Sequence, residues 1–276
     1  MTELIIEAGR TERHYWTDLW RYRELFYFLA WRDILVRYKQ TVIGVAWALI
    51  RPFLTTIVFV VVFNKIAKLQ STGDVPYALM VMAGMLPWQF FSSALSESST
   101  SLIGNANLIS KVYFPRLIVP AGAVITSFVD FLITFGLLVG MMAWYHFIPD
   151  WRILTLPLFV GLAFGAAMGA GLWLCALNVE YRDFRYIVPF IVQFGLYLSP
   201  VGFSNDVMAN KPTWVQLAYS LNPMVGVIDG FRWALLRGNS SLALSSLAIS
   251  TMVMLVLCVT GIWYFRKMER TFADVI

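Results

Sequence analysis

The sequence predicts an all-α, polytopic integral membrane protein with six transmembrane helices, an N-terminal amphipathic interface helix and short re-entrant outer helices. Three observations carry that prediction. Of 276 residues, 59% are hydrophobic and only 13% charged, too few polar groups to cover a water-soluble domain. The apolar residues fall in blocks, several of which reach the roughly 20 residues that cross about 30 Å of hydrocarbon as helix. Within each block the apolar positions run continuously and do not alternate, which in lipid selects helices over a closed barrel.

Residues 1–45 read as a cytoplasmic N-terminal segment. They hold many charges and no early apolar stretch, so no cleavable signal peptide is expected. Within them, residues 14–39 are rich in Trp, Tyr, Phe and Arg. Drawn as a helix, Thr17, Asp18, Arg21, Glu24 and Arg32 share one side, and Trp16, Leu19, Trp20, Phe26 and Tyr27 the other. Arg23, Leu25 and Phe28 fall off that pattern. Aromatic rings and basic heads on one helix suit the membrane–water interface.

The membrane domain, 46–264, divides into spans at about 46–68, 77–103, 117–144, 153–177, 186–203 and 242–264. A short tail, 265–276, follows. With the N-terminus inside, the inner segments hold Arg10, Arg13, Arg21, Arg23, Arg32, Arg37, Lys39, Lys111, Arg116, Arg182, Arg185, Arg266, Lys267 and Arg270. The outer ones hold only Lys65, Lys68, Arg152, Lys211, Arg232 and Arg237. This bias places both termini in the cytoplasm. It also accounts for the net charge of +5 without a nucleic-acid partner. In the longest outer segment, 204–238, Pro212 opens one short helix and Asn222-Pro223 separates it from a second, each too short to span. Gly161, Gly165 and Gly169 on span 4, and Gly136 and Gly140 on span 3, predict close helix packing.

Catalytic groups are missing from this pattern. His14 and His146 fall on opposite sides of the membrane, and no GxSxG, HExxH or paired acidic motif occurs. No Gly-rich loop with Lys-Ser/Thr is present, so the chain does not hold ATP in that manner. Cys175 and Cys258 both sit in apolar runs and read as core residues, with no metal site expected. Arg51, Glu97 and Asp130 are ionisable residues inside spans, where charge is costly and faces protein or a wet path. Arg51 and Glu97 lie at similar depth in antiparallel neighbours and are expected to pair. Asp130 has two readings: a proton-coupling carboxylate, or a polar group capping Thr126 and Thr134. Trp47, Phe53, Phe59 and Phe63 on span 1, and Phe190, Phe194 and Tyr197 on span 5, offer ring faces on which a sugar polymer slides, or which pack against lipid.

Four segments carry a resemblance to a known family. The run Leu29-Ala-Trp-Arg-Asp-Ile-Leu-Val-Arg-Tyr-Lys-Gln-Thr-Val-Ile-Gly-Val-Ala-Trp-Ala-Leu-Ile-Arg-Pro52 resembles the approach to the first span of polysaccharide-export ABC transporter permeases. Asn105-Ala-Asn-Leu-Ile-Ser-Lys-Val-Tyr-Phe-Pro-Arg116 resembles their first inner loop, and Asn178-Val-Glu-Tyr-Arg-Asp-Phe-Arg185 their second. Asn222-Pro-Met with Phe231-Arg-Trp-Ala-Leu-Leu236 resembles the outer segment before their last span. The match runs in order along nearly the whole chain and is similar above all to Wzm-type O-antigen permeases. Capsule and teichoic acid exporters are related.

The resemblance implies a homodimer seated on two separate ABC ATPase subunits that carry Mg-ATP, with no cofactor in this chain. Its cargo would be a polysaccharide on an undecaprenyl-type lipid. Spans 1 and 5, with Arg51 beside the aromatics named above, would line the channel. The N-terminal helix, with Trp16, Trp20, Arg21, Arg23, Phe26 and Tyr27, would help admit the lipid-linked glycan, and the helices within 204–238 would form a periplasmic gate. A coupling helix at about 104–115 would rest on the ATPase through Asn105, Asn107, Leu108, Ile109, Lys111, Val112, Phe114 and Arg116. Asn105 and Asn107 suit helix caps there. Glu180, Tyr181, Arg182 and Asp183 would form a second inner contact. No soluble sugar-binding domain is expected in this chain. The competing readings are a membrane enzyme acting on lipid-linked sugars, a proton-coupled transporter using Asp130, and an ABC exporter of small cargo. The first lacks an acidic pair or a His-based site, and the second would favour an internal repeat that 46–144 and 153–264 do not display.

Overall fold

A computed structural model describes residues 15–39, 46–68, 71, 73, 75–181, 183–203, 211–239 and 242–272. Among these residues the secondary structure is helical, without strands. In order the helices are α1 (Tyr15–Arg21), α2 (Arg23–Lys39), α3 (Ala46–Phe59), α4 (Tyr77–Gly104), α5 (Ala106–Ile109), α6 (Ile118–Trp144), α7 (Leu156–Glu180), α8 (Phe184–Leu198), α9 (Thr213–Ser220), α10 (Pro223–Leu235) and α11 (Leu244–Met268). A π-helical segment, Val60–Ile66, prolongs α3, and a 3-10 turn, Trp151–Thr155, leads into α7. Five of these stretches are long and apolar enough to cross a membrane.

Helix α4 is the hub. In its most apolar window 78% of residues are buried, against 17% in the α3 stretch and 22% in α11. A helix buried all round belongs at the centre of a bundle, whereas one left bare meets lipid or another subunit. Helices α3, α6, α7, α8 and α10 pack on α4. Phenylalanine rings fill the centre, with Phe90 and Phe131 centroids 5.7 Å apart and Phe231 from α10 edge-on to Phe131 at 6.1 Å. A second core gathers Tyr15 and Leu29, Ile109 and Phe114, Val179, and Phe265 and Phe272. It puts the N-terminal helices, the loop after α4, and the C-terminal ends of α7 and α11 together at the end predicted to face the cytoplasm.

Several helix boundaries have local causes. Pro52 lies in the second turn of α3 and cannot bond back to the Ala48 carbonyl, which instead accepts from Thr134 Oγ1 at 3.3 Å. Asn222 caps α10 by accepting from the Met224 N–H at 3.0 Å, with Pro223 at the first helical position, as the Asn-Pro pair predicts. The predicted span 186–203 is helical only to Leu198. Beyond it the chain continues as irregular backbone with Ser199, Pro200, Val201 and Gly202 buried, a conformation tolerated at membrane depth only inside protein. The outer segment, expected as short re-entrant helices, packs α10 into the bundle, with Met224 to Arg232 all buried.

The glycine expectations divide. A Cβ on Gly169 would lie 2.6 Å from the Cys258 nitrogen, and one on Gly261 would lie 2.4 Å from the Gly169 carbonyl oxygen, so α7 and α11 touch backbone to backbone. Gly161, by contrast, has open space, as do Gly136 and Gly140 on α6. The latter two border a groove with Leu49, Leu137, Met141 and Trp144 and do not tighten this chain. Gly169→Val should therefore lower stability by about 1–3 kcal/mol through overpacking, and Gly161→Val should leave it unchanged. Thermal unfolding midpoints in detergent check both.

Candidate functional site

The N-terminal helices leave their aromatics bare. Trp16, Trp20, Tyr27, Phe28 and Trp31 are exposed, and the Arg23 guanidinium lies 5.5 Å from the Trp20 ring. Arg21 is exposed and Phe26 half-buried. The strip that packs on the bundle is Tyr15, Leu29 and Ala30, so the exposed aromatic face is the one free for the membrane boundary.

The end of α2 reaches into the bundle. The Arg37 guanidinium bonds to Glu97 of α4 and, through its other terminal nitrogen, to Asp130 of α6. Tyr38 donates its hydroxyl to the second Asp130 oxygen, and Ser127 Oγ donates to Glu97 at 3.1 Å. At 1.5 Å per residue these carboxylates lie roughly 10 and 18 Å from the inner ends of their helices. A cation shared by two acids at such depth offsets part of the cost of placing those charges in hydrocarbon.

This pairing corrects two expectations. Glu97 pairs with Arg37, not Arg51, whose guanidinium has no ion-pair partner among the described residues. Asp130 does not cap Thr126 or Thr134 with its carboxylate: Thr126 bonds the Gly122 carbonyl and Thr134 bonds the backbone carbonyl of Asp130 at 2.9 Å. Sequence reasoning overlooked Arg37 and Tyr38 because they lie outside every apolar run. Their signal is a basic and a hydroxylated residue at the end of a helix that abuts spans with acids.

Beside the ion pairs lies a cavity of about 380 Å³. Trp47 and Arg51 wall it from α3, Gln89, Ser93 and Glu97 from α4, and Asp130 and Phe131 from α6. It combines charged groups, amide and hydroxyl groups, and aromatic faces within the membrane-embedded part of the chain. Trp47, Phe53, Phe190, Phe194 and Tyr197 are exposed on α3 and α8; the Phe190 and Phe194 rings are 4.1 Å apart. Phe59 is buried, its ring 5.2 Å from that of half-buried Phe63. Hence five of the seven aromatics present bare faces, and Phe59 and Phe63 pack within the subunit beside Gly202.

The first inner loop is a short knuckle. Helix α5 is only four residues long, shorter than the predicted 104–115. Neither asparagine acts as the expected cap: Asn105 stands at the N-cap but makes no side-chain cap bond, and Asn107 lies within the helix. Asn105 instead ties the loop to its surroundings, donating to the Ser101 carbonyl at 2.9 Å and accepting from Arg32 of α2 at 2.9 Å. Ile109 and Phe114 are buried, Leu108 is half-buried, and Lys111, Val112 and Tyr113 project outward. Arg116 donates its backbone N–H to Glu269 at 2.7 Å and its guanidinium to the Glu269 carbonyl, so it anchors the loop to the end of α11. Glu180, Tyr181 and Asp183 are exposed at and just past the end of α7, and Arg182 lies outside the described residues. The Glu180 carboxylate, accepting from the Tyr181 hydroxyl, holds that phenol above its ordinary pKa.

The outer half contains a buried charge that the sequence placed only among the outer-segment cations. Arg232 of α10 is fully buried beside Asp229. Its Nε donates to the Met80 carbonyl at 3.1 Å, and its two terminal nitrogens to the Phe203 and Val201 carbonyls, each at 2.7 Å. It thus satisfies the irregular strand of chain that follows α8. The proline at position 200 signals that break, and nothing in the sequence names its partner.

A family model for ABC-2 type transporters matches residues 24–236, from α2 through α10. The chain is 27% identical over 250 residues to an O-antigen export system permease protein RfbA of Klebsiella pneumoniae, covering 89% of this chain and 92% of that one. It is 24% identical over 244 residues to the polysialic acid transport protein KpsM of Escherichia coli, covering 87% and 91%. Against the capsule polysaccharide export inner-membrane protein CtrC of a serogroup A Neisseria meningitidis the figures are 26% over 211 residues, 74% and 76%.

Proposed function

This chain belongs to the ABC-2 type transporter family, and from that premise we propose that it is the permease subunit of an ATP-driven exporter. Its cargo is an undecaprenyl-linked polysaccharide, O antigen by preference, carried across a bacterial inner membrane. The observation that carries this reading is the near end-to-end similarity to a permease whose name assigns it to O-antigen export. The similarity to KpsM and CtrC gives a second reading, capsular polysaccharide. In both, the working unit is a homodimer over two ATPases that bind Mg-ATP, with both termini cytoplasmic and α8 plus residues 199–203 serving as the fifth of six crossings.

The mechanism is mechanical, with no covalent chemistry in this chain. Closure of the ATPases pushes the knuckle at Asn107, Lys111 and Val112, with Glu180, Tyr181 and Asp183 as a second contact. Buried Ile109 and Phe114 pass the push to α4 and α6. Asn105 and Arg32 pass it to α2, and Arg37 carries it to Glu97 and Asp130, beside the cavity walled by Trp47 and Arg51. The bare faces of α3 and α8, brought together from two subunits, make a path on which sugar rings stack weakly and slide. Asp130, held by Arg37 and Tyr38, serves as a strut in this scheme and not as a proton carrier.

Lys111→Glu combined with Val112→Glu should cut ATPase recovered with the purified chain at least tenfold. The unfolding midpoint should stay put, because both side chains are exposed and surface changes away from special features stay within about 0.5 kcal/mol. Undiminished ATPase recovery would exclude the knuckle as the docking point.

A further inference from the structure

A second recess, of about 980 Å³, opens at the end of the bundle predicted to face the cytoplasm, between α1, the loop 113–116 and the end of α11. The export mechanism above does not use it. Arg116, Arg266, Lys267 and Arg270 line it, against the two carboxylates of Asp18 and Glu269. The carboxylate of Glu269 already accepts the Arg116 N–H at 2.7 Å. Arg266 is half-buried, its guanidinium 4.6 Å from the Tyr15 ring, whereas Lys267 is exposed with Nζ 5.4 Å from the Trp263 ring. Among the described residues the lining therefore carries more cations than carboxylates, part of that charge held in place by aromatic rings.

The wall above it is apolar. Val256, Val259 and Trp263 are exposed on α11, and with Lys267 they recur at helical spacing on one face, with Arg270 in the turn just past the helix. From Val256 to Lys267 this face runs about 16 Å at 1.5 Å per residue, close to the roughly 15 Å of one leaflet's hydrocarbon. Trp263 stands between the apolar strip and the basic recess, the position an amphipathic indole takes at a membrane boundary. Basic recesses between membrane helices at the cytoplasmic boundary attract anionic headgroups.

We propose that this recess binds an anionic phospholipid, its phosphate against Lys267, Arg270 and Arg266 and its acyl chains along Val256, Val259 and Trp263. Such a lipid cements α1 to α11 and to the loop that ends at Arg116, so membrane composition tunes how firmly the knuckle is held. The phosphate must belong to a lipid, because charge alone would leave the apolar strip unused. The inference does not depend on the identity of the exported cargo.

Native mass spectrometry of the full chain in mild detergent, with added phosphatidylglycerol or phosphatidylcholine, tests it. Retention should favour phosphatidylglycerol. Lys267→Gln with Arg270→Gln should weaken phosphatidylglycerol binding roughly thirtyfold, and Lys267→Gln alone about fivefold, with phosphatidylcholine binding unchanged. Arg185→Gln, also basic and exposed at that end, should change neither. Unaltered unfolding midpoints would show the variants folded. Equal retention of the two lipids, or variants indistinguishable from the parent, would overturn the site. Displacement of phosphatidylglycerol by inorganic phosphate, or by undecaprenyl diphosphate at lower concentration, would overturn the assignment to a phospholipid.

Discussion

Arg232→Met should leave little folded protein after detergent extraction, with survivors unfolding far below the parent. The methionine fills much of the volume but donates nothing, so the Met80, Val201 and Phe203 carbonyls lose their donor. The buried Asp229 beside them also loses its neighbouring cation. Removing one member of a buried charged network costs about 3–5 kcal/mol, a large share of the roughly 5–15 kcal/mol that holds a domain folded. Arg232→Lys should restore only part, because an ammonium is a compact charge and cannot reproduce the planar fork that spans three carbonyls. Size-exclusion survival after graded heating measures both. A parent-like profile for Arg232→Met would mean that the segment after α8 is held by packing alone.

The second large effect concerns Arg37. Arg37→Gln strands Glu97 and Asp130 within the membrane-embedded part of the chain, with Tyr38 and Ser127 as remaining donors. Export should fall more than tenfold, because the end of α2 loses its hold on α4 and α6. Adding Glu97→Gln and Asp130→Asn to Arg37→Gln removes all three charges and should return export to within about threefold of the parent. Neutral replacement of a whole buried ionic network is often tolerated where removal of one partner is not. The non-additivity is the readout. If the triple variant is as inactive as Arg37→Gln, the guanidinium acts on cargo and not as a strut. Arg51→Gln, which breaks no ion pair among the described residues, should leave stability unchanged.

These two residues mark where the sequence stopped being legible. Five of the six expected spans correspond to long apolar helices among the described residues, and the break at Asn222-Pro223 followed from backbone chemistry, whereas the end of the fifth helix at Leu198 was not foreseen. Apolar runs and turn chemistry are both local signals. Which charge meets which is a tertiary fact: Arg51 and Glu97 share a depth, but Arg37 takes Glu97 because the end of α2 packs into the bundle, a placement that no periodicity encodes. Arg232 counted in the sequence only as an outer-segment charge, and it is buried where irregular backbone after α8 takes its donors. Helix faces in all-apolar spans carry no moment to read. Hence the bare aromatics of α3 and α8 were found as a set, while Phe59 and Phe63 were not separated from them. Gly136 and Gly140 carried the same signal as Gly165 and Gly169, yet only the latter pair meets α11 within this chain.

The central claim is ATP-driven export through this subunit, and one measurement addresses it directly. Purify the chain from its native host in mild detergent, reconstitute what comes with it into inverted vesicles, and follow lectin access to lipid-linked polysaccharide after adding Mg-ATP. The account predicts an ATPase recovered in equal amount, and polysaccharide that becomes shielded from lectin only with hydrolysable ATP. A chain that purifies without an ATPase, or that shields the glycan with a proton gradient and no nucleotide, would contradict it and return Asp130 to the role of a coupling carboxylate.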